Sequence, residues 1–183
     1  MSKLDGKKSK KKPISVQIPT TNSSETQKRY SLWNFWICSL FLKLLLMPDY
    51  FSTDFDVHRN WLAITNKLPL REWYYEKTSQ WTLDYPPFFA YFEWVLSQFV
   101  PQIVRKDGCL DIVEVGQFSW PTIVFQRLTV IITEGLLFIV LQIFINTSKS
   151  FEKTQSFIVA SSIVLSPGFL IVDHIHFLYN GFL

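Results

Sequence analysis

The chain has few of the residues from which cofactor and metal sites are usually built. Its 183 residues include only two cysteines and three histidines. Cys38 lies in an apolar stretch and Cys109 in a distant polar one, so we predict neither a disulfide nor a metal cluster between them. The sequence also has no G-x-x-x-x-G-K or G-x-G-x-x-G pattern and no zinc-type spacing of His and Cys. These absences exclude the usual nucleotide-binding loops, and we predict no metal and no cofactor.

Basic residues are concentrated in the first part of the chain. Residues 1–30 carry eight Lys or Arg residues against two acidic ones, whereas residues 48–118 carry ten acidic residues against six basic ones. Because no basic surface spreads along the sequence, we predict no nucleic-acid partner. Residues 1–30 also contain few bulky apolar side chains, which predicts a disordered basic tail. Its run from Lys7 to Lys12 fits a nuclear or anionic-lipid patch, but the apolar stretch close behind favours the positive-inside signal of a membrane protein.

Long apolar blocks separate these charged regions. A helix needs about 20 predominantly apolar residues to cross a bilayer, and we predict spans at about 32–50, 120–145 and 157–173. Lys43 lies near the end of the first, where its amine is expected to reach water. Residues 51–118 form a loop too long for a plain connection. With the basic tail in the cytosol, this loop lies on the opposite side of the membrane, which in a eukaryotic internal membrane is the lumen. The predicted fold is an all-α membrane protein with a large lumenal first loop that carries interfacial helices.

The stretch 85–104 leaves two interpretations open. It is apolar enough for a further span, but it contains Glu93 and Ser97. These two lie beside an apolar stripe, an amphipathic pattern that favours a helix lying in the membrane interface. A further span would place Asp54 and His176 on opposite sides of the membrane. The stripe consists of Phe88, Phe92, Leu96 and Phe99.

Asp54 is the candidate catalytic residue. A carboxylate close to His58 at a membrane rim is suited to take a proton from a substrate hydroxyl. The alternative is a helix N-cap, because Thr53 or Asp54 precedes a predicted helix at about 55–66. On that helix Asp54, His58 and Trp61 fall near one face.

Other polar side chains are candidates for binding substrate. Asp56 offers a second carboxylate beside Asp54, although two carboxylates alone are a weak signal for a divalent ion. Asp84 either initiates a turn or accepts hydrogen bonds from sugar hydroxyls. Arg127, about two turns inside the second span, is placed to contact either a lipid phosphate or a polar group of another helix. The predicted substrate-binding residues are Asp56, His58, Arg59, Asp84, Tyr85, Arg127, His174, His176, Tyr179 and Asn180.

Three stretches of the chain together carry a family resemblance: Ser52–Trp61 (STDFDVHRNW), Trp81–Phe89 (WTLDYPPFF) and Val172–Gly181 (VDHIHFLYNG). In this order they resemble the dolichyl-phosphate-glucose glucosyltransferases of the endoplasmic reticulum, which are multispanning enzymes of the GT-C type. The residues of the first and third stretches are similar to the branch that adds the second glucose. The branch that adds the first glucose has a similar loop and stays an alternative. The resemblance runs from about Ser31 to Leu183.

The resemblance implies an activity and a place for it. The reaction would be an inverting transfer of glucose in alpha-1,3 linkage from dolichyl-phosphate-glucose to the monoglucosylated dolichol-linked oligosaccharide. The first-loop aspartate is the family's proposed base, and Asp54 occupies that position. Dolichyl phosphate leaves readily, so this chemistry requires no metal. The implied protein is a multi-pass protein of the endoplasmic reticulum membrane with its active site facing the lumen, and its partners are the two dolichol-linked substrates and the lipid bilayer.

The resemblance also bears on how the chain is organised. Family members continue for many more helices, and we expect another apolar helix to start at residues 181–183. We therefore expect residues 31–183 to form the N-terminal part of a GT-C membrane domain. The later loops of the family contribute substrate contacts, so two alternatives to an active enzyme stay open: a truncated product and a membrane subunit without activity of its own.

Overall fold

Helices make up the regular structure. The structure, a computed structural model, describes residues 30–50, 52–149 and 152–181, and these ranges contain no β-strand. The predicted disordered tail lies outside the described residues, except for Tyr30. The helices are α1 (Trp33–Leu45), α2 (Thr53–Lys67), α3 (Pro87–Gln98), α4 (Gln102–Lys106), α5 (Trp120–Thr147), α6 (Lys153–Val164) and α7 (Pro167–Phe169), with a 3₁₀ turn at Leu70–Glu72 and a π-helical segment at Leu170–Ile175.

Two helical stretches are long and apolar enough to cross a bilayer. They are α5, with 28 residues, and the stretch Lys153–Ile175, with 23 residues. At 1.5 Å per residue, both exceed the hydrocarbon core of about 30 Å. Most of their apolar length lies on the outside of the protein, since only 33% and 17% of the two apolar windows are buried. Outward apolar side chains are what a lipid-facing helix requires.

The first apolar helix is shorter than the span predicted for it. α1 has 13 residues, a length of about 20 Å. It ends at Leu45, and the chain then turns ahead of Pro48, whose ring cannot supply a backbone N–H. The helix itself therefore ends five residues before the predicted boundary at residue 50.

α1, α5 and α6 pack side by side in alternating directions. The backbone N–H of Leu32 donates to Gln142 Oε1 at 2.9 Å, which joins the beginning of α1 to the end of α5. Lys43, near the end of α1, contacts Glu134 in the middle of α5. The end of α1, the beginning of α5 and the π-helical segment therefore lie at one end of the bundle. At the opposite end the buried apolar cluster consists of Leu32, Leu141, Ile145, Ala160 and Val164.

The long loop folds around α2, and Ser52 sets where this helix begins. The backbone N–H of Asp54 donates to Ser52 Oγ at 3.2 Å, and Ser52 has the extended backbone of an N-cap. The prediction that Thr53 or Asp54 caps the helix is therefore wrong, because both lie in its first turn. α2 then packs against α3, α5 and the end of the described chain. The cluster that joins them includes Phe55, Trp61, Phe89, Val130, Phe177 and Tyr179.

α3 buries two polar side chains together with Phe89 and Ala90, and it leaves other apolar side chains exposed. Glu93 and Ser97 are fully buried, while Phe92 and Leu96 of the predicted stripe pack partly against the core. With 12 residues, a length of about 18 Å, α3 is too short to cross a bilayer. Its length and its apolar outer face support an interfacial position for 85–104 rather than a further span. The exposed apolar side chains of this region include Phe88, Tyr91, Val95, Phe99 and Ile103.

Candidate active site

An open cleft of about 360 Å³ lies beside the first turns of α2. α2 provides one wall, residues 80–85 provide another, and Leu178 contributes from the last described segment. The cleft contains Asp54, His58 and Trp61, so the prediction that these three share a helix face is confirmed. Of the predicted site residues, those that line the cleft are Asp54, His58, Asp84 and Tyr85.

Asp54 presents a half-buried carboxylate to this cleft. Its Oδ2 lies 2.8 Å from Ser52 Oγ, and the same hydroxyl lies 2.6 Å from the carbonyl oxygen of His176. A hydroxyl carries one hydrogen, so Ser52 donates to one of these two oxygens at a time. Asp54 lies in the first turn of α2, so its carboxylate is close to the positive end of the helix dipole. Asp54 is thus held by one neighbour and keeps acceptor sites for a substrate hydroxyl.

His58 reaches the cleft from a buried position one turn further along α2. Its Nδ1 lies 2.7 Å from Glu93 Oε1, and its ring packs edge-to-face against the rings of Trp61, Phe89 and Phe177. Burial raises the pKa of the Glu93 carboxyl, and the hydrogen bond to His58 opposes that shift. Sequence reasoning missed Glu93 as part of the site, although a carboxylate in an apolar stretch was a usable signal.

Side chains of α2 hold the opposite wall in place. Asn60 Nδ2 donates to the carbonyl of Trp81 at 2.9 Å, and Trp61 Nε1 donates to the carbonyl of Thr82 at 3.0 Å. The Tyr85 ring packs against the Trp61 ring at a tilt of 50°, with ring centroids 5.0 Å apart. These contacts leave the Asp84 side chain exposed at the mouth of the cleft. The cleft therefore presents two carboxylates, an imidazole and aromatic rings, a set suited to binding sugars.

Asp56 and Arg59 lie outside the cleft. Arg59 is buried and donates from Nη1 to the carbonyl oxygens of Asp111 at 2.9 Å and Cys109 at 3.3 Å. Asp56 Oδ1 lies 3.8 Å from Arg59 Nε. Burial raises the pKa of Asp56, opposed by the charge of Arg59, and burial lowers the pKa of Arg59. Because two residues turn a helix by about 200°, Asp56 cannot share the face of Asp54. Its place beside Arg59 fits support of the loop between α4 and α5, which contains Cys109 and Asp111.

Arg127 also donates within the protein. Its Nη2 donates to the carbonyl oxygens of Asp49 at 3.1 Å and Tyr50 at 3.0 Å, and its Nη1 donates to that of His174. The guanidinium is buried. Arg127, near the beginning of α5, thus joins this helix to the segment that follows α1 and to the π-helical segment. This geometry corresponds to the structural pairing that the sequence left open, rather than to contact with a lipid phosphate.

Lys43 and His174 converge on Glu134 rather than on the cleft. Lys43 Nζ lies 2.5 Å and His174 Nε2 lies 2.8 Å from Glu134 Oε2, and all three side chains are buried. The expectation that the Lys43 amine reaches water is therefore wrong, because a carboxylate on the facing helix supplies a closer partner.

The last predicted residues form the support behind the cleft. His176 has an exposed side chain, and its carbonyl accepts from Ser52. The Tyr179 hydroxyl is buried and lies 2.9 Å from Thr129 Oγ1. Asn180 Nδ2 donates to Asp173 Oδ1 at 2.8 Å, a carboxylate that sequence reasoning missed. None of these three side chains lines the cleft, to which the same segment contributes Leu178.

Within the described residues, no group of three or more His, Cys, Asp or Glu side chains has the arrangement of a metal site. Asp54 and Asp56, the pair that the sequence offered for a divalent ion, lie on different faces of α2, and Asp54 shares the cleft with the single further carboxylate of Asp84. The polar groups of the cleft are thus acceptors and donors of the kind that hold hydroxyl-rich ligands.

Two helices of bilayer length and a carboxylate-lined cleft beside exposed apolar side chains are features of the class of membrane enzymes that act on polar substrates. A sequence profile of the ALG6, ALG8 glycosyltransferase family matches residues 39–183. The chain belongs to this family. The match covers α2, the opposite wall at 80–85 and the last described segment, which together form the cleft.

Curated relatives share most of this chain's sequence. It is 77% identical over 168 residues to the dolichyl pyrophosphate Glc1Man9GlcNAc2 alpha-1,3-glucosyltransferase of Saccharomyces cerevisiae, a match that covers 92% of this chain and 29% of the relative. Proteins of the same name match from Candida glabrata, at 80% identity over 87% of this chain and 29% of the relative, and from Kluyveromyces lactis, at 68% over 100% and 32%. The chain spans about a third of the length of these relatives.

Proposed function

We propose that this chain forms the N-terminal part of a glucosyltransferase of the endoplasmic reticulum membrane. The enzyme transfers glucose in alpha-1,3 linkage from dolichyl-phosphate-glucose to a dolichol-linked oligosaccharide that already carries one glucose. The observation that carries the proposal is Asp54, which faces a cleft shared with His58, Asp84 and Tyr85. The acceptor is supported by the name of the relatives, which specifies Glc1Man9GlcNAc2.

The proposed chemistry needs one base and one leaving group. Asp54 accepts the proton of the acceptor hydroxyl while the oxygen of that hydroxyl attacks the anomeric carbon of the donor glucose. The new bond joins this carbon to the acceptor oxygen, and the bond to the phosphate oxygen breaks. Dolichyl phosphate leaves with the electron pair of that bond, and attack from the opposite face inverts the anomeric configuration. Asp54 then releases its proton to solvent at the open mouth of the cleft.

The proposed topology follows the alternating helices of the bundle. Residues 1–30 and 146–156 lie in the cytosol, and residues 48–118 and 174–180 lie in the lumen. The antiparallel packing of α1, α5 and α6 supports this arrangement, because it brings Asp49 and Tyr50 to the same end of the bundle as His174. The apolar outer face of α3 lies in the lumenal headgroup layer and holds the cleft at the membrane surface.

Transfer to defined acceptors tests the proposal. The chain in its full-length protein is purified and given dolichyl-phosphate-glucose together with either the Glc1Man9GlcNAc2 or the Man9GlcNAc2 lipid. We expect one glucose to be added to the first lipid and none to the second. Addition to Man9GlcNAc2 alone would assign the first-glucose reaction instead. Transfer to neither lipid would favour the alternative of a membrane subunit without enzymatic activity.

A further inference from the structure

We propose that Glu93 is a positioning residue that holds His58 with its Nε2–H directed into the cleft, where it donates to a sugar hydroxyl oxygen of a substrate. The inference rests on the proposed function, which supplies the sugar ligands, and it adds a role for a side chain on α3 that does not itself line the cleft. It assigns Asp54 the role of hydrogen-bond acceptor and His58 the role of hydrogen-bond donor toward the substrate.

Among the described residues, the geometry gives a hydrogen-bond partner to one nitrogen of His58. Nδ1 lies 2.7 Å from Glu93 Oε1, so the remaining polar atom of the ring is Nε2, and His58 lines the cleft. Rings of Trp61, Phe89, Phe177 and Tyr179 surround the imidazole with centroids 5.0 to 5.5 Å away. The Tyr179 hydroxyl lies against Thr129 Oγ1, and the bond to Glu93 determines which nitrogen of the imidazole faces α3.

Proton counting decides what Nε2 does. The Glu93 carboxyl and the His58 imidazole together hold either one or two exchangeable protons. With one proton, this pair carries a net negative charge and His58 Nε2 is an acceptor. With two protons, the pair is neutral and Nε2 carries a hydrogen, whether the shared proton sits on Glu93 or on Nδ1. Glu93 is completely buried, and its Oε2 has no hydrogen-bond partner among the described residues. A buried pair with an incompletely solvated carboxylate favours the neutral state, so Nε2 is a donor.

The surroundings indicate what this donor binds. The carboxylates of Asp54 and Asp84 line the same cleft. Their negative charge disfavours binding of a further anion, such as a phosphate oxygen, between them. A neutral sugar hydroxyl suits both groups, because its hydrogen is offered to Asp54 and its oxygen, or that of a neighbouring hydroxyl, accepts from His58. Sugars of the donor and of the acceptor offer the same chemistry, and separate KM values for the two substrates distinguish them.

Two substitutions of His58 test the roles of its two ring nitrogens separately. Asn in His58→Asn has its amide nitrogen near the position of Nδ1, so it retains the bond to Glu93 and loses the cleft donor. Gln in His58→Gln places its amide near Nε2, so it retains the cleft donor and loses the bond. In the full-length protein we expect His58→Asn to lower kcat/KM by about tenfold, the loss of one hydrogen bond, with a rise in KM for the substrate whose sugar is bound. His58→Gln should retain clearly more activity than His58→Asn.

Substitutions of Glu93 are tested in the wild-type protein and in the His58→Gln variant. Glu93→Gln can donate its amide hydrogen to Nδ1, as a protonated carboxyl does, so we expect it to retain much more activity than Glu93→Leu. In the His58→Gln background, Glu93→Leu should cause little further loss, because the substituted amide does not depend on Glu93. Equal losses from Glu93→Leu in both backgrounds, or a His58→Asn enzyme with wild-type kcat/KM, would overturn the inference. A wild-type protein without glucose transfer would instead reject the proposed function itself.

Discussion

Lys43 on α1 and Glu134 on α5 form a buried ion pair in which Nζ lies 2.5 Å from Oε2. His174 of the π-helical segment lies 2.8 Å from the same carboxylate oxygen. Glu134 therefore joins α5 to both α1 and the π-helical segment. α2 begins only eight residues after the end of α1, so the position of Asp54 depends on how α1 is held.

We expect Lys43→Met to destabilise the full-length protein by about 3 kcal/mol, because it removes the cationic partner of the buried Glu134 carboxylate and leaves it His174 among the described residues. The measurement is the thermal unfolding midpoint of the purified protein in detergent and lipid. Lys153→Met, a half-exposed position at the start of α6, is the matched control and should shift the midpoint little. An unchanged midpoint in Lys43→Met would show that the ion pair does not hold α1 in place.

Gly116 lies against the guanidinium of Arg59, where a Cβ would come within 2.4 Å of Nε. Arg59 cannot yield easily, because it is buried and donates to two carbonyl groups. We expect Gly116→Ala to cost about 1–3 kcal/mol of stability through this overpacking. Gly135→Ala is the control, since nothing lies within 4 Å of a Cβ there, and Ala is favoured over Gly inside a helix. Equal stability of the two variants would contradict the contact.

The proposed topology predicts which loops receive glycans. Asn146-Thr147-Ser148 is an acceptor sequence, and as a cytosolic segment it should stay unmodified. We expect a longer acceptor cassette to be glycosylated after Gly108 and not after Ser148, as read by a mobility shift that glycosidase removes. A glycan after Ser148, or none after Gly108, would mean that residues 85–104 cross the membrane and that the cleft is divided.

Much of the cleft could be predicted from the sequence because it depends on local periodicity. Asp54, His58 and Trp61 lie three to four residues apart, and any helix over this stretch brings them to one face. The apolar blocks likewise predicted α5 and the helical stretch that follows it, since length and hydropathy are properties of the segment alone.

The partners of buried charges could not be predicted in this way. Lys43 contacts Glu134 across 91 positions of sequence, and Glu93 contacts His58 across 35, so these pairs depend on how helices pack. For Arg59 and Asp56 the sequence suggested a place in the site because both are close to Asp54 along the chain. In the structure they instead support the loop that contains Asp111. Proximity along the chain does not predict a shared site when the residues lie on different faces of one helix.

Asp54 is the proposed base of the glucosyl transfer, and its replacement by an amide is the most direct test. Asp54→Asn is compared with wild type in the full-length protein, given dolichyl-phosphate-glucose and the Glc1Man9GlcNAc2 lipid. The amide keeps the shape of the side chain and cannot take up the proton, so we expect transfer to fall at least ~10²-fold with unchanged membrane insertion. Asp111→Asn, an exposed carboxylate paired with Lys67, controls for loss of charge and should transfer normally. Wild-type transfer by Asp54→Asn would contradict the role of Asp54 as the base.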